Sequence, residues 1–536
     1  MSSRVLPPEL RRLNVPRPFV PPQPIAPAEP SGTRAALGGG PSLRTWLTGV
    51  TGGALGPIGQ GESFRHRDPV LALVHRITMG FTEAEHERAQ ALGFENYLEE
   101  QLEPDAIDDP HVEAKLGAFP VVGMSPKEVF EGYETRTQEA YVELKSARLV
   151  RAVHSRRQLQ ERLVEFWLDH FNIDHNKGLG WALLPEFERT VIRAHALGSF
   201  PAMLAASAFD AAMLFYLDNW LNVGSAPQEN YARELLELHT LGVDGGYSEA
   251  DVVEVARCFT GWTLNPDPAS PDWMRGHFDP TQHSSGPKLV LGHVVRGAPA
   301  AGRPGQPVER DDAQAVLDIV AAHPSTARFL ARKLLRRFLT PEPPAGLVER
   351  VAATYLATRG DIRAMMRVIL TREHLSANAG FLAPKYRRPF HLLTGLLRTM
   401  QGNLRQSQEV ALGHLVAMGH SPYDYPPPTG YPDDLSAWGG ALLPRWVFVT
   451  ALMGRDLTGI PLIGILDLRT KLGWTSPADN PGLAARIDAR LLGGTLSAFE
   501  IEVLQQFIDG YPTAFGQGAL EDTLALAASL PGSQWY

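Results

Sequence analysis

The stretch 228–263, QENYARELLELHTLGVDGGYSEADVVEVARCFTGWT, decides the fold class. Apolar residues recur at helical spacing on both sides of a glycine turn. Glu229, Arg233 and Glu237 are spaced four apart and share one helix face, with Glu234 three residues before Glu237. Gly245 and Gly246 give the first helix a stop. Ser248 opens a second helix, with Asp251 completing a capping box. Val252, Val255, Ala256 and Phe259 make its apolar stripe, opposite Asp251, Glu254 and Arg257. So many charges beside so many apolar residues build either a solvated face or a charged interior.

The helical reading extends outward from this pair. Residues 1–65 stand apart as an extended or disordered Pro/Gly-rich arm, since nine of the first thirty residues are proline. From Asp68 onwards, helical stripes are punctuated by start and stop signals. Thr82 and Glu85 form a capping box before a stop at Gly93, and Pro126 sits at a first-turn position. QLQERLVEFWLDHF (158–171) places Leu159, Leu163, Phe166 and His170 on one stripe. The spacing predicts further helices over 325–339, capped by Ser325, over 385–400, and after Ser497 and Glu500. The longest irregular region is 264–310, within which KLVLGHVV (288–295) suits a short strand or hairpin. Recurring prolines exclude helix from SPYDYPPPTGYPDDLS (421–436). The expected fold is all-α: a single helical domain over 66–536, with long irregular loops and at most a short β-hairpin.

Apolar content of 44% and charged content of 20% suit a chain that buries a large core. A net charge of −9 gives no general attraction for nucleic acid, and none is expected as a partner. A single cysteine, Cys258, excludes an internal disulfide and any multi-cysteine metal site. No run of about 18 apolar residues reads as a transmembrane segment. Proline follows Arg11 and Arg12 where an export signal needs apolar residues, so the default expectation is cytoplasmic. A misassigned start codon would change that to export.

Four segments carry candidate chemistry. In FWLDHFNIDHNK (166–177), His170 and His175 stand five apart, each preceded by an aspartate, Asp169 and Asp174. Imidazole beside carboxylate serves metal ligation or acid–base work, but histidines also favour helix C-termini. In the opening stretch, Glu234 and Glu237 lie on adjacent turns, with Arg233 and Arg257 available to neutralise them. In HFDPTQHSSGPKLVLGH (277–293), His277, Asp279, His283 and Lys288 occupy a loop free to converge on a ligand. In RFLARKLLRRFL (328–339), Arg328, Arg332 and Arg336 form a basic face with Lys333 and Arg337 beside it, which more often means a solvated face. Cys258 sits within a helix and reads as a buried, inert thiol.

Taken together, these segments resemble an uncharacterised bacterial family catalogued as domain of unknown function 1800. The resemblance runs from about residue 68 to 450, leaving 451–536 as a helical C-terminal extension. It rests on HRITMGFTEAE (75–85), FWLDHFNI (166–173), YLDNWLN (216–222) and the opening stretch. HSSGPKLVLG (283–292), HPSTARFLARKLLRRF (323–338), KYRRPF (385–390) and PPPTGYPDDLSAW (426–438) complete it. The resemblance implies a large, mostly helical protein of a kind that often looks exported, and no activity. It gathers His170, Asn230, Arg233, Glu234, Glu237, Glu254, Arg257, Trp262, His283 and Lys288 into one signature.

The leading expectation is therefore a metal-assisted or carboxylate/histidine-dependent hydrolase with one buried polar pocket. Glu234, Glu237, Glu254, His283 and Lys288 are its candidate catalytic residues. His170, Glu234 and His283 are the candidate ligands of a divalent metal, and Arg233, Arg257, Asn230 and Trp262 would orient them. The alternative is a non-catalytic binding or scaffold protein, whose charged helix pair is a salt-bridge network. Its loop 421–438 would then contact a protein or glycan through tyrosine and tryptophan.

Overall fold

The 18-residue helix Thr137–His154 is shared between two hydrophobic cores. Ala140 and Leu144 in its first half enter a core drawn almost entirely from residues 70–375. Ala147, Val150 and Val153 in its second half enter another, drawn mainly from residues 390–530. The computed structural model describes residues 68–295, 311–376, 379–380, 382–402, 408–453, 465–511 and 515–536. Among them are 24 helices and two small antiparallel strand pairs, so the protein is mostly α. No helix among the described residues is long and apolar enough to cross a membrane. The arm over 1–65 lies outside the described residues.

Local signals explain many helix boundaries. Asp68 caps Pro69–Ile77 by accepting from Val70 N at 2.9 Å. Thr82 caps Glu83–Leu92, which ends at Gly93. Ser125 with Glu128, Ser248 with Asp251, and Ser497 with Glu500 form reciprocal capping boxes.

Elsewhere the structure corrects the expectations. The first helix of the opening stretch is Asn230–Glu234, widening into a π-turn at Leu235–His239, so it stops before Gly245. His323, rather than Ser325, caps Pro324–Phe338. The expected hairpin forms as Lys288–Val290 against His293–Val295. A second pair, Trp262–Leu264 against Gly276–Phe278, was not anticipated. Its partners are separated by a loop with no short turn signature.

The largest correction falls on 385–400, where helix spans only Pro389–Thr399. Proline 389 disfavours helical backbone at the residue before it, so Arg388 is extended at φ −60°, ψ 153°. The freed segment pairs with the last residues of the chain. Lys385 N donates to Tyr536 O at 2.9 Å, Tyr536 N to Lys385 O at 3.0 Å, and Arg387 N to Gln534 O at 2.7 Å. This pairing turns Lys385, Arg387 and Arg388 into the interior, where all three are buried.

Candidate functional site

The ten signature residues divide among separate partner networks. Arg233 pairs with Glu229 at 3.3 Å and with Glu249 at 2.7 Å on a largely exposed surface. Glu234 is half-buried, and its carboxyl is pushed up by burial and then by the neighbouring charge of Glu237. Glu237 hydrogen-bonds the Tyr247 phenol. Glu254 receives Arg257 at 2.8 Å and Leu289 N at 3.3 Å. Asn230 donates to Leu217 O, and Trp262 packs on Phe209 with ring centroids 4.2 Å apart.

His283 and Lys288 do come together, but around Asp312, which sequence reasoning had not singled out. His283 Nε2 lies 3.1 Å from Asp312 Oδ2, and Lys288 Nζ is bonded to the same oxygen. His170 belongs to a third network. It accepts from Lys333 Nζ at Nδ1 over 2.9 Å and turns Nε2 to His239 O at 3.1 Å. Burial, with Lys333 adding, pushes the His170 imidazole far below its ordinary range. The expected metal ligands His170, Glu234 and His283 thus keep different partners. Among the described residues, no group of three or more His, Cys, Asp or Glu could hold a metal ion.

The basic face of Pro324–Phe338 also divides. Arg328, Arg332 and Arg336 face solvent, while Arg337 turns inward. Cys258 is buried, and burial raises its thiol to about 12.

The densest polar constellation lies where the helix Gln158–His170 ends beneath the proline–tyrosine loop 421–436. Its floor is a belt of buried charge. Glu165, 1% exposed, meets Arg337 at 2.8 Å, Arg162 at 3.3 Å and Arg388 at 3.5 Å. Arg388 reaches on to Asp169 at 2.6 Å. Arg337 and Lys385 both reach Asp433 at 3.1 Å. Burial alone would raise Glu165, yet Arg337, Arg388 and Arg162 hold it well below the usual carboxylate range. Two helices, the extended segment before Pro389 and the loop are thereby tied at one point.

The loop is seated by backbone contacts. Asn172 Nδ2 donates to Tyr425 O at 2.8 Å and Pro427 O at 2.9 Å, and Tyr216 Oη to Pro426 O at 2.6 Å. Gly430 has φ 71°, and a Cβ there would lie 2.0 Å from the Asp169 carbonyl oxygen. Only glycine allows this approach. Tyr423 is a non-glycine at φ 64°, a strained conformation that clusters at functional sites. Its carbonyl accepts from His175 N at 3.0 Å, and its hydroxyl donates to Glu188.

On this seat five side chains converge. Asp424 Oδ1 lies 2.9 Å from His175 Nδ1, and the Tyr423 carbonyl lies 3.1 Å from the same nitrogen. Both are acceptors, so Nδ1 carries the hydrogen and the neutral ring keeps its lone pair on Nε2. Among the described residues Nε2 has no hydrogen-bond partner, and His175 is 7% exposed. The Tyr141 ring stacks on His175 at 3.7 Å between centroids and 9° between planes, fixing its orientation. Tyr141 Oη donates to Asp424 Oδ1 at 2.5 Å. Lys145 Nζ, almost fully buried, donates to Asp424 Oδ2 and Ser421 Oγ, each at 2.5 Å.

Burial lowers the Lys145 ammonium to about 8, against the opposing pull of Asp424. Burial would raise Asp424, but the His175 hydrogen bond and the Lys145 charge hold it well below the ordinary range. The arrangement can accept a proton at Nε2 and stabilise the resulting imidazolium with Asp424.

Sequence reasoning had raised His175 but matched it with its neighbour Asp174, whose Oδ1 is 3.7 Å away. Asp424, Lys145, Ser421 and Tyr141 were missed. One signal was available: Arg162, Glu165 and Asp169 recur at helical spacing in 158–171 beside Leu163, Phe166 and Trp167, marking a charged stripe within a buried helix.

A family model described as "Protein of unknown function (DUF1800)" matches residues 72–535, nearly the whole chain. No curated protein and no solved structure matches it.

Proposed function

We propose, for a chain that belongs to the family of proteins of unknown function DUF1800, that it is a carboxylate/histidine-dependent hydrolase whose general base is His175. The supporting observation is the bracketing of Nδ1 by Asp424 and the Tyr423 carbonyl, which leaves Nε2 without a hydrogen-bond partner among the described residues. Nε2 takes a proton from water as that water's oxygen bonds to the substrate's electrophilic centre. The imidazolium formed is stabilised by Asp424 and returns the proton to the leaving group. Tyr141 and Lys145 position the carboxylate, and Lys145 also orients Ser421.

The test is a panel of chromogenic esters, phosphate esters, peptides and glycosides, assayed with wild type and His175→Gln side by side. One class is cleaved by wild type, and His175→Gln lowers that rate by about 10²–10⁴-fold with an unchanged melting curve. Cleavage of no class, or equal cleavage by both proteins, overturns the reading.

A binding protein is the second reading, and one observation favours it. Leu435 is 47% exposed, Leu443 68% and Val447 51%, an apolar group in and just beyond the loop. On that reading Leu443→Asp with Val447→Asp abolishes capture of a protein or glycan partner while His175→Gln leaves it intact.

A further inference from the structure

Beside the His175 constellation lies a second feature that the hydrolytic reading leaves unused. A cavity of about 20 Å³ opens under the loop, bordered by Arg148, Asp169, Asn172, Phe390, His420 and Tyr423. It has room for a group of roughly water size. Arg148 is 6% exposed, and its Nε and Nη1 are buried without any hydrogen-bond partner. Among the described residues its guanidinium makes no ion pair either; it lies over the Phe390 ring at 5.3 Å and the Tyr423 ring at 5.7 Å.

Other buried arginines, such as Arg76 and Arg445, also carry unpartnered donors but keep at least one hydrogen bond. Arg76 reaches Ala383 O at 2.6 Å, Arg387 reaches Trp535 O at 3.0 Å, and Arg445 reaches Arg387 O at 2.8 Å. The acids near Arg148 are engaged elsewhere. Glu188 is held by Arg193 at 2.5 Å, by Arg151 at 3.5 Å and by Tyr423. Asp169 Oδ2 is held by Arg388 at 2.6 Å. Glu188 feels the Arg148 charge without bonding to it, and guanidinium donors left without hydrogen bonds beside a small cavity are matched by an anion.

We infer that this cavity is an anion site in which Arg148 binds a small monovalent anion, either a free halide or the carboxylate of an organic ligand. The aromatic faces of Phe390 and Tyr423 hold the guanidinium in plane, and the apolar wall formed by Leu168, Ile173 and Leu184 excludes a larger hydrated ion. The site does not depend on catalysis at His175.

The experiment uses the full chain in crystals soaked in sodium bromide, with anomalous data, alongside chloride-35 line broadening in solution. An anomalous peak in contact with Arg148, and broadening that weakens about tenfold in Arg148→Lys, are expected. Acetate displacing the bromide identifies a carboxylate site; bromide persisting against acetate identifies a halide site. No peak in the cavity, or a peak and broadening unchanged in Arg148→Lys (an adventitious ion only), overturns the inference. Where Arg148→Lys fails to fold, the absence of a peak in contact with Arg148 in the wild-type soak still overturns the inference.

Discussion

Burial alone would raise the Glu188 carboxyl, but Arg193, Arg151 and Arg148 bring it from 4.5 down to about 2. That difference stabilises the fold by about 3 kcal/mol. The sign follows from the lowered value: the contribution is complete above pH 4.5 and is lost as the pH falls through about 2. Glu188→Gln is therefore expected to lose about 3 kcal/mol at pH 7 in urea unfolding, with the gap to wild type closing as the pH drops from 4.5 to 2.

Lys145 has the same pH sign in the alkaline range, although there burial disfavours the charged form. Its ammonium is lowered from 10.5 to about 8, so between those values the unfolded chain binds more protons and stability rises with pH. Lys145→Met should remove that rise, as read from melting midpoints at pH 8 and pH 10. Neither residue was legible in the sequence. A lysine on an amphipathic helix looks the same whether it meets water or Asp424, and only the fold puts 279 residues of separation within 2.5 Å.

Helix ends were the most legible elements because their determinants lie within four residues. The capping boxes at Ser248 and Ser497, the cap at Thr82 and the stop at Gly93 are of this kind. The segment 385–388 was misread because its partner, Gln534–Tyr536, is remote and helical periodicity says nothing about strand pairing. The loop 421–436 was read as non-helical, yet its role as a support for His175 depends on where Asn172 and Gly430 place it. Gly430→Ala tests that role. The left-handed backbone and the clash with Asp169 O should cost at least about 2 kcal/mol in urea unfolding and lower hydrolysis in parallel. An unchanged stability would mean that the loop is not seated as described.

Across the whole molecule, the two cores share Thr137–His154 and are joined by the belt of Glu165, Arg337, Arg388, Asp169 and Asp433. Glu165→Gln leaves buried guanidinium groups uncompensated and should cost about 3–5 kcal/mol. Far-UV and near-UV melts of wild type are expected to coincide in one transition, as for a single domain; two separated transitions would assign the cores to independent units. The all-α class was readable from periodicity because it is a local property repeated along the chain. The site was not, because its members come from three separate segments, 141–145, 175 and 421–424, and its decisive geometry is a single nitrogen held between two oxygens.

That nitrogen offers the most direct test. Long-range ¹⁵N–¹H correlation spectra of histidine-labelled protein, with His175 assigned by comparison with His175→Gln, report which ring nitrogen carries the hydrogen in the neutral form. The geometry of Asp424 and the Tyr423 carbonyl predicts a protonated Nδ1 and a bare Nε2 in wild type. A neutral His175 with its hydrogen on Nε2 would contradict its assignment as the base.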